Sequence, residues 1–320
     1  MLKPRALTPG DRLAVVAPAS AFKREEFDRG VDEIRRLGFE PVYDDSVFAR
    51  ERYVAGSPEV RAAAISRAWN DPAIAGLIGV RGGYGSVQVL PLLDPEEARR
   101  ARKPFVGYSD LTSVLTFLTN TCSLTAFHGP MLAGRLGRGP GNKVENVDNV
   151  GSAGGYDRRS FLSALTCREP MGELTAPALE TLRAGEAGGL LLGGTITQLL
   201  ASLGTPFAFS PPPGCVLFLD EVGERPYRLD RMVTQLRQSG ILARAAAVVI
   251  GELPNCDEPS GNPTARAVMG DLFADFPGPV LIGFPSGHTT GPAMTLPLGV
   301  RCRVVGGAVP ALVIEEAAVA

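Results

Sequence analysis

Histidine is scarce. Only His128 and His288 occur in 320 residues, and they do not form a metal-binding spacing, so a His-rich metal site is excluded and a carboxylate-only one has no support. The five cysteines (Cys122, Cys167, Cys215, Cys256, Cys302) are odd in number, scattered, and form no CxxC; they read as reduced, packed thiols of a cytoplasmic protein. Charge of one sign is also lacking. Lys and Arg total 32 against 34 Asp and Glu, for a net charge of -2 without a basic cluster, which argues against a nucleic-acid partner. No apolar run is long enough for a membrane span, and the opening "MLKPRALTPGDRLAVVAPAS" reads as a strand rather than a signal peptide, because Asp11 and Arg12 abut its apolar stretch. Neither G-x-G-x-x-G nor a P-loop is present, so neither a nucleotide nor any other cofactor is implied.

The first 135 residues alternate strand-like and helix-like stretches. "RLAVVAPAS" is an apolar run closed by turn residues, and "KREEFDRGVDEIRRLGF" carries Phe27, Val31, Ile34 and Leu37 on one helical stripe ending at Gly38. "SPEVRAAAISRAWNDP" places Ser57 at an N-cap and Pro58 at the first helical position. Such alternation predicts an α/β fold, with a parallel, Rossmann-like sheet and right-handed crossovers over residues 1–135. From about Gly134 to Gly155 glycine and asparagine dominate without apolar period, so residues 136–170 read as a linker, with 136–155 a loop. Residues 171–320 read as a C-terminal α/β domain with a β-rich tail, and a cleft between the two domains is the expected site.

Four features could carry chemistry. In "FVGYSDLT", Ser109 follows an apolar strand and precedes a helix, which suits either a helix cap or a nucleophile at the carboxyl edge of a parallel sheet. It is not the G-x-S-x-G elbow, because Leu111 stands where the second glycine would be. A serine nucleophile needs a base, and His288 lies in a Gly/Pro/Ser/Thr loop that could present it to a cleft, whereas His128 ends a strand as a loop or core residue. An orienting acid could come from Asp220 or Glu221 at the end of "CVLFLDEV", where alternation points the two to opposite sides. "RGGYG", residues 81–85, reads as a tight turn or as a loop whose N–H groups approach a ligand; Arg81 could meet a carboxylate or a surface acid.

Together "VAPAS", "VRGGYGS", "FVGYSDLT", "FHGPML", "LFLDEVGERPYRLDRM", "VVIGEL", the late "GH" and "TLPLGV" resemble the LD-carboxypeptidase family of serine peptidases, which includes the microcin-immunity peptidases; the match runs in order over nearly the whole chain. The resemblance implies hydrolysis of an L,D-peptide bond, releasing a C-terminal D-amino acid from a small peptide such as a murein tetrapeptide during peptidoglycan recycling. It implies Ser109 as nucleophile, His288 as base and Asp220 as acid with Glu221 the alternative, although the family usually has Glu at the Asp220 position. Backbone N–H groups of Gly83 and Asp110 would form the oxyanion hole. The pattern "GGN" reads "GGT" here, with Thr195 in place of Asn. The family also implies a homodimer. A peptidase acting on a peptide-nucleotide conjugate and a non-catalytic nucleotide- or sugar-binding α/β protein are the alternatives.

Overall fold

The apolar runs of the first part become one sheet. A computed structural model describes residues 1–141 and 154–320. In chain order it opens with β1 (Arg12–Val16), α1 (Arg24–Arg36), β2 (Glu40–Val42), α2 (Pro58–Asn70), β3 (Ile74–Gly79), α3 (Pro95–Ala101), β4 (Phe105–Gly107), α4 (Thr112–Thr116) and β5 (Ala126–His128). These strands pair in the order β2-β1-β3-β4-β5, every pair parallel, as alternating strands and helices require. The helices follow from local chemistry. Phe27, Val31 and Ile34 bury one face of α1, and the Ser57 hydroxyl accepts the Val60 N–H at the start of α2, with Pro58 next in line.

The second part runs through α5 (Arg158–Thr166), β6 (Gly172–Leu174), β7 (Glu180–Arg183), β8 (Gly185–Thr195), α6 (Ile196–Ala201), β9 (Cys215–Asp220), α7 (Pro226–Gln238), β10 (Ala245–Gly251), α8 (Ala265–Leu272), β11 (Val280–Phe284), β12 (Leu296–Leu298), β13 (Arg301–Gly306) and β14 (Ala311–Ile314). Its sheet has the order β6-β14-β13-β8-β9-β10-β11-β7, with β8 to β11 parallel and antiparallel pairs toward both edges. β12 leaves this sheet and pairs antiparallel with β5, so the late part of the chain supplies the sixth strand of the first sheet.

Part of the segment read as a linker is α5. Asp157 caps it by accepting the Ser160 N–H at 2.6 Å, and its apolar residues Phe161, Ala164 and Leu165 are buried. The Ser160 hydroxyl in turn accepts the Thr295 N–H at 3.0 Å, beside β12. Residues 142–153 of the Gly- and Asn-rich stretch lie outside the described residues.

Alternation along β9 decides what its two faces meet. Val216 and Phe218 belong to a core that also holds Phe105, Leu115 and Phe127 of the first part, while Leu217 and Leu219 pack with Leu229, Val233 and Leu236 of α7. Continuing the period, Asp220 falls on the side of Val216 and Phe218, toward the first sheet, and Glu221 on the other. Among the described residues no helix is long and apolar enough to cross a membrane.

Candidate active site

Three parallel strands of the second sheet end at one edge, and each delivers a polar group there. β9 ends at Asp220, which is fully buried. β8 ends at Thr195, the register partner of Asp220. The loop after β11 carries Ser286, Gly287 and His288. Ligands of open parallel sheets bind at this carboxyl edge, because the loops there are free to present side chains.

Asp220 and His288 meet twice. The imidazole Nδ1 lies 2.7 Å from Asp220 Oδ2, and the His288 backbone N–H donates to Oδ1 at 3.1 Å. Thr195 adds a third bond, its hydroxyl donating to Oδ2 at 3.2 Å. So dense a grip requires the loop to press on the carboxylate. A Cβ at Gly287 would lie 2.5 Å from Asp220 Oδ2 and 2.6 Å from His128 Cε1, and its φ of +73° is one that other residues rarely adopt. Close approach of the loop backbone lets an acid one methylene shorter than Glu reach the ring.

Glu221 is engaged elsewhere. Its Oε2 accepts the Thr197 N–H at 2.9 Å and the Thr197 hydroxyl at 2.7 Å, at the start of α6. Burial raises its pKa, and the two bonds from Thr197 only partly offset that. Of the two candidate acids, Asp220 is the one that contacts the histidine.

His288 itself is 7% exposed. Burial alone would push its pKa down, but the charge of Asp220 and the bond to it prevail and hold the pKa above the ordinary value. Asp220 therefore favours the imidazolium and, through Nδ1, fixes the ring's orientation.

On the other side of the site stands Ser109. After the buried strand β4, Tyr108 is extended, and then the chain turns sharply, with Ser109 at φ +61°. A non-glycine residue in this left-handed region is strained by about 1–3 kcal/mol, and such strain concentrates at functional turns. Tyr108, not Ser109, occupies the cap position of the following 3-10 turn, Ser109–Leu111, and no side chain caps it. The strand-to-turn geometry is that of a nucleophile elbow without its second glycine. Room for Leu111 comes instead from glycines beneath it, because a Cβ at Gly79 or Gly107 would approach the Leu111 Cδ1 to 2.2 or 2.7 Å.

Residues 81–85 lie against this turn. A Cβ at Gly82 would sit 3.0 Å from Ser109 Cβ, 3.3 Å from its Oγ and 3.2 Å from the Asp110 backbone nitrogen. Gly83, with φ +96°, comes next, so its amide and that of Asp110 belong to two segments that converge beside Ser109. Asp110 reaches back to the loop: its Oδ2 accepts the Ser86 N–H at 2.8 Å, and the Ser86 hydroxyl donates to its carbonyl at 2.5 Å. Arg81 is exposed and donates to the Ala21 carbonyl at 3.4 Å.

The two halves are joined across the site. The Tyr108 ring lies 5.2 Å, centroid to centroid, from that of His288, and the Thr195 N–H donates to Thr112 Oγ1 on α4 at 3.1 Å. His128 is fully buried at the end of β5, its Nδ1 3.1 Å from the Ser286 hydroxyl and its ring against Phe218. Burial pulls its pKa down to about 4, so it is neutral at ordinary pH and poorly suited to accept a proton in turnover. Among the described residues no group of three or more His, Cys, Asp or Glu gathers as metal ligands.

Sequence reasoning did not assign roles to Thr195, Ser286 or Gly287. Thr195 stands where the family pattern has Asn, but its role shows only once the strand that carries Asp220 lies beside its own. Gly287 shows its role only once Asp220 and His128 are placed on either side of it.

Comparison with known proteins places the chain in a family. Residues 13–129 match the LD-carboxypeptidase N-terminal domain and residues 188–304 the LD-carboxypeptidase C-terminal domain. A putative carboxypeptidase of Streptomyces coelicolor is 35% identical over 95% of this chain and 93% of its own. The murein tetrapeptide carboxypeptidase of Pseudomonas aeruginosa is 30% identical, with 87% of this chain and 88% of that protein covered. The crystal structure of a muramoyltetrapeptide carboxypeptidase from Oxalobacter formigenes superposes with a TM-score of 0.81 at 27% identity, over 95% of this chain and 99% of the other. The chain belongs to the LD-carboxypeptidase family of peptidases.

Proposed function

We propose that the protein is a serine carboxypeptidase that hydrolyses an L,D-peptide bond and releases a C-terminal D-amino acid, with murein tetrapeptide as substrate and peptidoglycan recycling in the cytoplasm as its setting. The observation that carries this reading is the pairing of His288 with a buried Asp220 on one half of the molecule, opposite a strained Ser109 on the other. The relatives named as murein tetrapeptide and muramoyltetrapeptide carboxypeptidases support the choice of substrate.

Asp220 accepts from Nδ1 and so leaves the other ring nitrogen, Nε2, to act as base. In the first step Nε2 takes the Ser109 proton as Oγ attacks the scissile carbonyl. The backbone N–H groups of Gly83 and Asp110 hold the oxyanion that forms. The imidazolium is stabilised by Asp220 and then gives its proton to the departing amine of the D-amino acid. Water, activated by the same imidazole, hydrolyses the acyl-enzyme and restores Ser109.

The test is release of D-alanine from murein tetrapeptide, with Ser109→Ala purified in parallel. Release by the wild type and loss of about a thousandfold or more in the variant is expected for a triad nucleophile. Equal release by both would remove Ser109 from the mechanism. No release by either would remove the substrate.

A further inference from the structure

Arg61, on α2, is 2% exposed, and among the described residues no carboxylate accepts a hydrogen bond from it. Its Nε donates to the Gly56 carbonyl at 3.0 Å and more weakly to that of Ser57 at 3.4 Å. Nη1 donates to the Pro18 carbonyl at 2.6 Å and the Gly85 carbonyl at 2.8 Å, and Nη2 to Gln88 Oε1 at 2.6 Å. Burying a guanidinium on neutral oxygens is costly, and the arrangement survives only where the geometry is worth that cost.

The acceptors define what is held. Pro18 belongs to the loop after β1, Gly56 and Ser57 lead into α2, and Gly85 and Gln88 lie in the turn after β3. The same turn is gripped from the opposite side by Asp110, which accepts the Ser86 N–H. Gly85 and Ser86 are thus fastened in succession, one through its carbonyl to a buried cation and the next through its N–H to a buried carboxylate. Two residues earlier lies Gly83, and Gly82 abuts Ser109. Gly83 and Gly85, at φ +96° and +118°, gain from missing Cβ atoms a freedom that must be restrained if one geometry is to persist.

We infer that Arg61 is a positioning residue for the oxyanion turn: with Asp110 as counter-anchor, it sets where the Gly83 N–H stands relative to Ser109. The inference rests on the reading of Ser109 as nucleophile. Arginine suits the task because one planar fork reaches three loops at fixed angles, which a lysine ammonium on a flexible stem does not. Oxyanion donors act through alignment with charge that develops in the transition state, so misplacing one lowers kcat and leaves substrate binding largely intact.

The experiment measures the labelling rate of Ser109 by a fluorophosphonate, a probe that needs the nucleophile, base and oxyanion hole but no natural substrate. It is run on wild type, Ser109→Ala, Arg61→Lys and Gln88→Ala, each checked by thermal melting. Wild-type labelling that disappears in Ser109→Ala upholds the nucleophile, independently of Arg61. Arg61→Lys is then expected to label about 10- to 100-fold more slowly, a fraction of what one lost oxyanion donor costs. Gln88→Ala removes one arm of the fork at little risk to folding and is expected to label several-fold more slowly, so it carries the test if Arg61→Lys does not fold. On a turned-over peptide the loss should fall in kcat, with KM within about threefold. Folded variants that label at the wild-type rate, or a loss confined to KM, would overturn the inference while leaving Ser109 in place. Absence of labelling in the wild type would overturn both.

Discussion

Asp220 and His288 are bound to each other through two separate contacts, side chain to ring at 2.7 Å and side chain to backbone at 3.1 Å. The carboxylate therefore orients the imidazole and also fixes the loop that carries it. Replacing it removes both functions, whereas replacing its neighbour Glu221 disturbs the bonds to Thr197 at the start of α6 and to the Val222 N–H. Asp220→Asn should lower kcat by about a thousandfold or more, because the amide can present an N–H where the ring needs an acceptor. Glu221→Gln should leave kcat within a few-fold. Steady-state kinetics on the two variants decides between the acids, and the reverse ranking would transfer the role to Glu221.

Ser109 offers a separation of stability from activity. At φ +61° the serine is strained, and glycine adopts that conformation without a steric cost. Ser109→Gly should abolish turnover and yet stabilise the fold by about 1 kcal/mol, which is the usual trade at a strained functional residue. Thermal melting checks this, and a melting temperature below that of wild type would mean that the strain is not stored at this residue.

The fold was largely legible because its cause is local. The stripe of Phe27, Val31 and Ile34, the Ser57–Pro58 start and the runs that became β1, β3 and β9 each show their period within a few residues. Alternation along β9 separated Asp220 from Glu221 without saying which faces the site; that shows only when Val216 and Phe218 are seen to pack toward the first sheet. The α5 helix was obscured by the Gly- and Asn-rich stretch before it, although Asp157 three residues ahead of Ser160 carried a capping signal. What could not be read was anything that depends on two distant segments meeting. Arg61 is an ordinary helix arginine until Pro18 and Gly85 arrive around it, and Thr195 is an ordinary strand end until Asp220 stands beside it.

The raised pKa of His288 has consequences for activity and stability that run in opposite directions. As the proposed base the imidazole must be neutral, so kcat/KM should climb with pH through an apparent value above the ordinary 6.5. A group whose folded pKa exceeds its unfolded one contributes stability below the unfolded value and loses it as pH rises through the folded value. Across that window the enzyme should gain activity while this contribution fades. With Asp220→Asn the main counter-charge and its bond are gone, only the charge of Glu221 still opposes burial, and the midpoint of the residual activity should fall below that of wild type. A pH-rate profile with its limb below 6.5 in the wild type would contradict the assignment.

His128 should report itself through acid stability. Its pKa is depressed from 6.5 to about 4, mainly by burial, with the positive charges of His288 and Arg135 adding and Asp220 opposing. The unfolded chain takes up a proton near the ordinary value and the folded chain does not, so the stability at stake is present above 6.5 and drains away as pH falls toward the folded value. A drop of this size corresponds to about 3 kcal/mol in full, of which about 2–3 kcal/mol should be lost by pH 4.5. His128→Asn cannot titrate and should lack that part of the slope while costing stability at neutral pH through lost packing against Phe218. Urea unfolding of both proteins at pH 7.5, 6 and 4.5 provides the comparison. The gap between them should narrow steadily toward acid, because wild type carries a penalty that the variant does not. Parallel curves would mean that His128 takes up its proton in the folded protein as readily as in the unfolded chain, and the Ser286–Gly287 turn would then have to tolerate a cation beside His288.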